Sequence, residues 1–231
     1  MPAVALEAPP RRFLIVRHGE TNFNVEGRVQ GTLDTTVLTE TGISQAAGLG
    51  YYVASAHAGD ISQVWVSPMR RARQTLAAVR GVCDAAGCAL PAARVHDDLR
   101  EIELHHWQGK LKTEILADEP DAWAMWKQDP SRYVMPCGRA PLPDLWKRAT
   151  TNWAALLEAS DADPSTGAFL VVAHGAVGRA MVGAALGRGM DSFPSDEYKF
   201  ENCDVVEVEW PAGAATAQRW RRVYSAAEVP S

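Results

Sequence analysis

Two apolar, strand-like runs in this chain end in the same dipeptide, His-Gly. One is LIVRHGET, Leu14 to Thr21; the other is LVVAHG, Leu170 to Gly175. Each run is short, rich in β-branched residues and free of charge until its last residues, the pattern of a strand buried on both faces. In an open α/β sheet, ligands collect in the crevice beyond the carboxyl ends of such strands. Two histidines, His18 and His174, delivered there by neighbouring strands would face one another across a pocket. Arg17 stands beside the first, so the pocket suits an anion.

The remaining chain reads as alternating strand and helix. Strand signals lie at Phe13 to Arg17, Gln63 to Ser67, Arg94 to His96 and Leu170 to His174. Helix signals follow Thr39, follow Ser67-Pro68 and run from about Val177 to Leu186, stopping at Gly187. Gly19 to Thr39 is polar and glycine-containing and reads as a loop. The final stretch, VVEVEW-PAGAAT-AQRWRRVY, alternates around a Pro/Gly turn and predicts an antiparallel hairpin at a sheet edge. The expected fold is an α/β three-layer sandwich: a mostly parallel central sheet, helices on both faces and a helical lid insertion. One domain is expected over residues 1–231, with 1–12 a loose Pro/Ala-rich leader and about 105–160 the lid. The lid region stands out because it holds five of the eight tryptophans, Trp107, Trp123, Trp126, Trp146 and Trp153. Helices are expected from Lys112 to Lys127 and from Pro143 to Ala159. Core packing explains most of these tryptophans; one or two could wall a substrate pocket.

Composition narrows the partners. A net charge of −5 argues against a basic nucleic-acid-binding face, so anion-binding power must be local. No apolar run approaches the ~20 residues needed to cross a bilayer, and the start MPAVALEAPPRR lacks the apolar stretch of a signal peptide. Cys83, Cys88, Cys137 and Cys203 form no CxxC pair, which disfavours zinc and disulfides and fits a reducing compartment. The expectation is a cytoplasmic protein, or one of the chloroplast stroma if a targeting segment has been removed. The terminal hairpin offers an edge for pairing with a second copy.

The chemistry-bearing residues form an ordered set: RHGE, then SPMRRARQT, then LREIE, then AHG. An imidazole at position 18 can act as nucleophile toward phosphorus. Phosphoryl transfer otherwise needs positioning and charge neutralisation, which Arg17 and Arg70 would supply as planar, permanently charged donors. His174 would bind a further phosphoryl oxygen, with Gly175 leaving room beside it. Glu101 would protonate the departing oxygen. Singly, each has a bland reading: a structural histidine, a solvated helix face, a Glu101 paired with Arg100 or Lys110. No GxGxxG follows a strand, which excludes a dinucleotide-binding oxidoreductase.

LIVRHGETNFNVEGRVQG, SPMRRARQT, LREIE and VVAHGAVGRAM together resemble the histidine phosphatase superfamily, in its phosphoglycerate-mutase-like branch. The resemblance implies His18 as the phosphorylated nucleophile, Arg17, Arg70 and His174 as the phosphate pocket, and Glu101 as proton donor and later general base. It implies no metal or organic cofactor, and a small phosphomonoester as partner. Asn24 and Gln30, with Gly31 and Arg28, match pocket positions of the RHGETxxN and GRxQG motifs. Two stretches depart from many relatives: HHWQGK after Glu101, and CGRAP at Cys137 to Pro141. The W/Q-rich lid and the PxxxLWxRA run are instead similar to a plant and cyanobacterial subgroup acting on 2-carboxy-D-arabinitol 1-phosphate. A phosphatase acting on a sugar phosphate or phosphorylated sugar acid is therefore expected. The alternatives are a phosphoglycerate mutase-type phosphomutase and a non-catalytic sugar-phosphate sensor. Further candidates for contacts to the substrate are Arg28, Lys110 and Arg139, and His105 and His106 are candidate lid residues.

Overall fold

The structure is a computed structural model that describes residues 9–163, 165 and 167–228. Its centre is one six-stranded sheet, built of β1 (Arg11–Arg17), β2 (Ile61–Val66), β3 (Ala93–Val95), β4 (Ala168–Ala173), β5 (Val205–Trp210) and β6 (Arg219–Tyr224). The strand order is β3-β2-β4-β1-β5-β6. The first four in that order run parallel; β5 and β6 are antiparallel and form the expected hairpin at the edge. The arginine-rich β6 is the outer strand, where charge discourages pairing with further chains. Of the predicted leader, residues 1–8 lie outside the described residues, whereas Arg11 and Arg12 open β1, opposite Trp210 and Glu209.

Seven α-helices are found among the described residues. Alternation along the strands divides the core between the two faces. Leu14, Val16, Val64, Val66, Leu170 and Val172 pack toward α2 (Glu40–Ala56) and α3 (Arg70–Ala85). Phe13, Ile15, Trp65, Phe169 and Val171 pack toward α6 (Pro141–Asp161) and α7 (Gly175–Ala185). Thr39 caps α2 as its position before the helical pattern predicts, accepting from the Gly42 amide at 3.0 Å. Trp153 of α6 lies edge-on to Phe13, 5.1 Å between centroids, and its indole N–H reaches the Met181 carbonyl of α7 at 2.6 Å. This contact ties the helical layer to β1.

Three expectations are corrected. The loop after Gly19 contains a short helix, α1 (Asn22–Glu26), because Thr21 and Asn24 exchange a capping box that starts one. The expected helix from Lys112 to Lys127 is two, α4 (Lys112–Asp118) and α5 (Pro120–Gln128), because Pro120 has no amide to continue the first. The helix after β2 begins at Arg70, two residues beyond the predicted Ser67-Pro68 start; the Ser67 hydroxyl accepts from the Met69 amide at 3.3 Å and also lies 2.7 Å from His174 Nε2.

Candidate active site

Register explains how the site assembles. β1 and β4 pair in parallel with Val16 opposite Val172 and Arg17 opposite Ala173, so His18 and His174 leave the sheet side by side. Their ring centroids are 5.2 Å apart. β2 ends level with them, its successor Ser67 donating its amide to the Val172 carbonyl at 2.9 Å. Three adjacent strands thus deliver Ser67, His174 and His18 to one crevice.

His18 is buried, and its Nδ1 lies 2.8 Å from the Gly19 carbonyl oxygen. A carbonyl can only accept, so Nδ1 carries the proton and Nε2 keeps its lone pair. That Nε2 accepts from the Nε–H of Arg71 at 3.3 Å. Burial first, then the charges of Arg71 and Arg17, push the imidazole well below the ordinary histidine range, which keeps it neutral. The Gly19 backbone is held by the Thr75 hydroxyl at 3.0 Å, itself bonded to the Arg71 carbonyl at 2.8 Å. A Cβ at Gly19 would stand 2.5 Å from the Gly42 carbonyl of α2, so only glycine permits that approach.

The guanidinium at His18 belongs to Arg71, not to Arg70. Arg71 is 1% exposed, and its Nη atoms donate to the Leu33 carbonyl, the Thr36 hydroxyl and the Gly31 carbonyl at 2.9, 3.2 and 2.8 Å. These bonds aim the Nε side of the fork at the imidazole. Arg70 is solvent-exposed, and its backbone amide meets the Asp34 carboxylate. The difference follows from helix phase: Ala72, Leu76, Val79 and Cys83 form the buried stripe of α3, Arg71 adjoins it, and Arg70 and Arg73 face water. That stripe was the signal available in the sequence.

Arg17 borders the same crevice, anchored by Nη1 to the Phe200 carbonyl at 2.6 Å. His174 Nε2 is bonded to Ser67, while its Nδ1 is buried without a partner. Burial and the Arg71 charge hold His174 well below the usual range too. Glu101 pairs with neither Arg100 nor Lys110. Its Oε2 accepts from the Ala176 amide at 3.1 Å, and its Oε1 from the amides of Val177 at 3.1 Å and Ile102 at 2.9 Å. The carboxyl group therefore sits on the N-terminus of α7, where helix amides favour an acceptor.

Arg17, His18, Arg71 and Glu101 open on a cavity of about 240 Å³, lined also by Asn24, Arg28, Gln30, Gly31 and Gly175, all five of them expected at the pocket; His174 is fully buried beside His18 and is not among the lining residues. Gln30 Oε1 is buried and unpartnered, as is His174 Nδ1, and such atoms call for a ligand or water. Asn24 uses its side chain to cap α1, and Arg28 is bonded to Glu26 and the Gly109 carbonyl. Lys110 and Arg139 do not line the cavity: Lys110 pairs with Glu119, and Arg139 with Glu103 and Asp144. His105 and His106 are also off it, His106 being 2.7 Å from the Tyr133 hydroxyl. The sequence reading missed Lys112 and Lys127, which line the cavity with Trp123 and Trp126 and whose ammonium groups have no partner among the described residues. Burial, then Arg17 and Lys127, lower the Lys112 pKa. Two of the five lid-region tryptophans thus wall the pocket.

The profile of the histidine phosphatase superfamily (branch 1) matches residues 13–223. The chain belongs to this superfamily. It is 33% identical over 201 residues to a probable 2-carboxy-D-arabinitol-1-phosphatase of Arabidopsis thaliana, an alignment covering 87% of this chain and 38% of that protein. It therefore spans little more than a third of that plant relative's length. It is also 33% identical to the glucosyl-3-phosphoglycerate phosphatase of Mycobacterium tuberculosis, with 80% of this chain and 79% of that one aligned. Among solved structures, a mycobacterial glucosyl-3-phosphoglycerate phosphatase in complex with VO3 superposes with a TM-score of 0.77 at 27% identity, covering 93% and 98% of the two chains. Like other α/β folds, the histidine phosphatase scaffold leaves substrate choice to what surrounds the strand ends.

Proposed function

We propose that the chain is a phosphoric monoester hydrolase that works through phosphohistidine. The observation that carries this reading is the state of His18: neutral, its Nδ1–H spent on Gly19, its Nε2 lone pair facing the buried guanidinium of Arg71. A phosphoryl group entering the crevice replaces the Arg71–His18 contact. Arg71 and Arg17 take its oxygens, and His174 Nδ1, the atom left without a partner, takes another. Nε2 attacks phosphorus in line, an N–P bond forms and the ester P–O bond breaks.

The departing oxygen needs a proton. An ionised carboxylate has about four lone-pair sites, and backbone amides occupy three of those on Glu101. The vacant one is on Oε2, so the proton sits on Oε2 when the carboxyl enters the reaction as its acid form; Oε2 passes it to the leaving oxygen and becomes carboxylate. In the second half-reaction the same oxygen takes a proton from water as water attacks phosphohistidine. Such proton transfer contributes on the order of 10²- to 10⁴-fold.

Two features support a phosphorylated sugar or sugar acid as substrate. Lys112 and Lys127 bring two further cations to the cavity, suited to a second anionic group, and Trp123 and Trp126 add aromatic walls beside them. The names of the aligned relatives, 2-carboxy-D-arabinitol-1-phosphatase and glucosyl-3-phosphoglycerate phosphatase, point the same way. The test is phosphate release from a panel of sugar phosphates and phosphorylated sugar acids, with isomerisation of 3-phosphoglycerate followed in parallel. The reading expects hydrolysis and a kcat/KM preference above tenfold for the acids. Isomerisation outpacing hydrolysis would make the chain a phosphomutase, and binding without turnover a sensor.

A further inference from the structure

Residues 97–102 carry Glu101 without belonging to the sheet. A single helical turn, Asp97–Leu99, leads into extended backbone, so the carbonyls of this segment have no strand to bond to. They are met from one side by α6. Arg148 Nη1 donates to the carbonyls of Asp98 and Arg100 at 2.9 and 2.7 Å, and Nη2 to the carbonyl of Glu101 itself at 3.1 Å. Asn152, four residues on and therefore on the same helix face, is fully buried and donates to the Asp98 carbonyl at 3.0 Å. On the other side, amides at the start of α7 hold the carboxylate. Glu101 is gripped between two helices, its backbone by one and its side chain by the other.

We propose that Arg148 is the positioning residue for Glu101, fixing through three backbone carbonyls where the carboxyl meets the leaving oxygen. This rests on the phosphatase reading above. A planar guanidinium can bridge several carbonyls in one fixed geometry, which a lysine ammonium on a flexible stem cannot. Small displacements of an acid–base group are costly, since proton transfer needs hydrogen-bond distance to the reacting atom. The outer cleft on this side, about 360 Å³ and lined in part by Arg148, Arg139 and Asp144, is a mixed-charge surface; Arg139 there is paired with Glu103 and Asp144. Arg148 is half-buried and turns its guanidinium to the three carbonyls; burial lowers its pKa while the Glu101 charge opposes that shift.

The experiment compares leaving groups. An alkoxide leaving group needs Glu101's proton; dinitrophenolate does not. In the full chain, kcat/KM is measured for wild type, Arg148→Gln, Arg148→Lys and Glu101→Gln. The substrates are 2,4-dinitrophenyl phosphate and whichever alkyl phosphate wild type turns over fastest in the panel above, 3-phosphoglycerate and ribose 5-phosphate among them. Arg148→Gln is expected to lose about tenfold or more on the alkyl phosphate and less than about threefold on the aryl one. Arg148→Lys should fall between, and the Arg148→Gln/Glu101→Gln double variant should match Glu101→Gln alone. Equal losses on both substrates, or none on either, would overturn the assignment. If Arg148→Gln does not fold, Arg148→Lys and Asn152→Ala carry the same comparison. If wild type turns over no alkyl phosphate of that panel, or 2,4-dinitrophenyl phosphate leaves no phosphate on His18, the phosphatase reading fails first. If His18 is labelled and the leaving-group split is absent, only the role of Arg148 fails.

Discussion

At His18 a single hydrogen bond decides which nitrogen is available, and at Arg71 three acceptors decide which way the guanidinium points. Removing the Arg71 side chain should therefore lower kcat/KM by on the order of 10²- to 10³-fold, as for other preorganised charge stabilisers. Arg70→Ala should change it by less than about threefold, since that side chain is in water. Steady-state kinetics on the two variants separates the adjacent arginines; the opposite order of effects would contradict the geometry. The pair also marks a limit of reading a sequence. RHG, AHG and Glu101 were legible because each stands in an unmistakable local pattern. Three arginines within four residues offer no such contrast. Only the phase of the apolar stripe Ala72, Leu76, Val79 and Cys83 distinguishes them, and that phase becomes decisive once the helix start at Arg70 is known. Lys112 and Lys127 carried no local signal at all, because what joins them is the fold of α4 and α5 over the crevice.

Elements bring these residues to their places, and their contacts are testable in turn. The start of α2 presses Gly42 against the backbone of Gly19 and Glu20, next to His18. A methyl group at position 42 would collide with the Glu20 carbonyl. Gly42→Ala should thus cost about 1–3 kcal/mol by overpacking, read as a lower Tm, and reduce activity by displacing the His18 loop. A variant of unchanged Tm would show that the contact relaxes freely. Among the helices over the pocket, Lys112→Ala/Lys127→Ala should raise KM for phosphorylated sugar acids while leaving hydrolysis of 2,4-dinitrophenyl phosphate nearly intact. Equal changes on both substrates would place the lysines in general field effects, not in recognition. The parallel sheet, the terminal hairpin and the capped α2 were readable from apolar runs, turn residues and Thr39. The break between α4 and α5 was signalled by Pro120, but the capping box that makes α1 depends on Thr21 and Asn24 meeting, which spacing alone suggests only weakly.

For the molecule as a whole, two fully enclosed neutral histidines couple stability to pH. His18 and His174 both titrate well below 6.5 in the folded state, chiefly through burial. In the unfolded chain they take up protons near 6.5. Below that pH the unfolded state binds more protons, so stability present above about 6.5 is lost as pH falls toward the folded values, at up to about 1.4 kcal/mol per histidine per pH unit. Urea midpoints between pH 7.5 and 5.5 should fall accordingly, and a His18→Asn/His174→Asn variant should show a shallower decline; identical slopes would contradict the buried neutral state. No helix among the described residues is long and apolar enough to cross a membrane. The same enclosed imidazole gives the most direct test of all. Rapid acid-free quenching of wild type with a phosphorus-labelled substrate, followed by mapping of the label, should find phosphate on Nε2 of His18, stable in base and lost in acid. His18→Ala should carry none. Label on Nδ1, label on another residue, or turnover by His18→Ala equal to wild type would contradict the account.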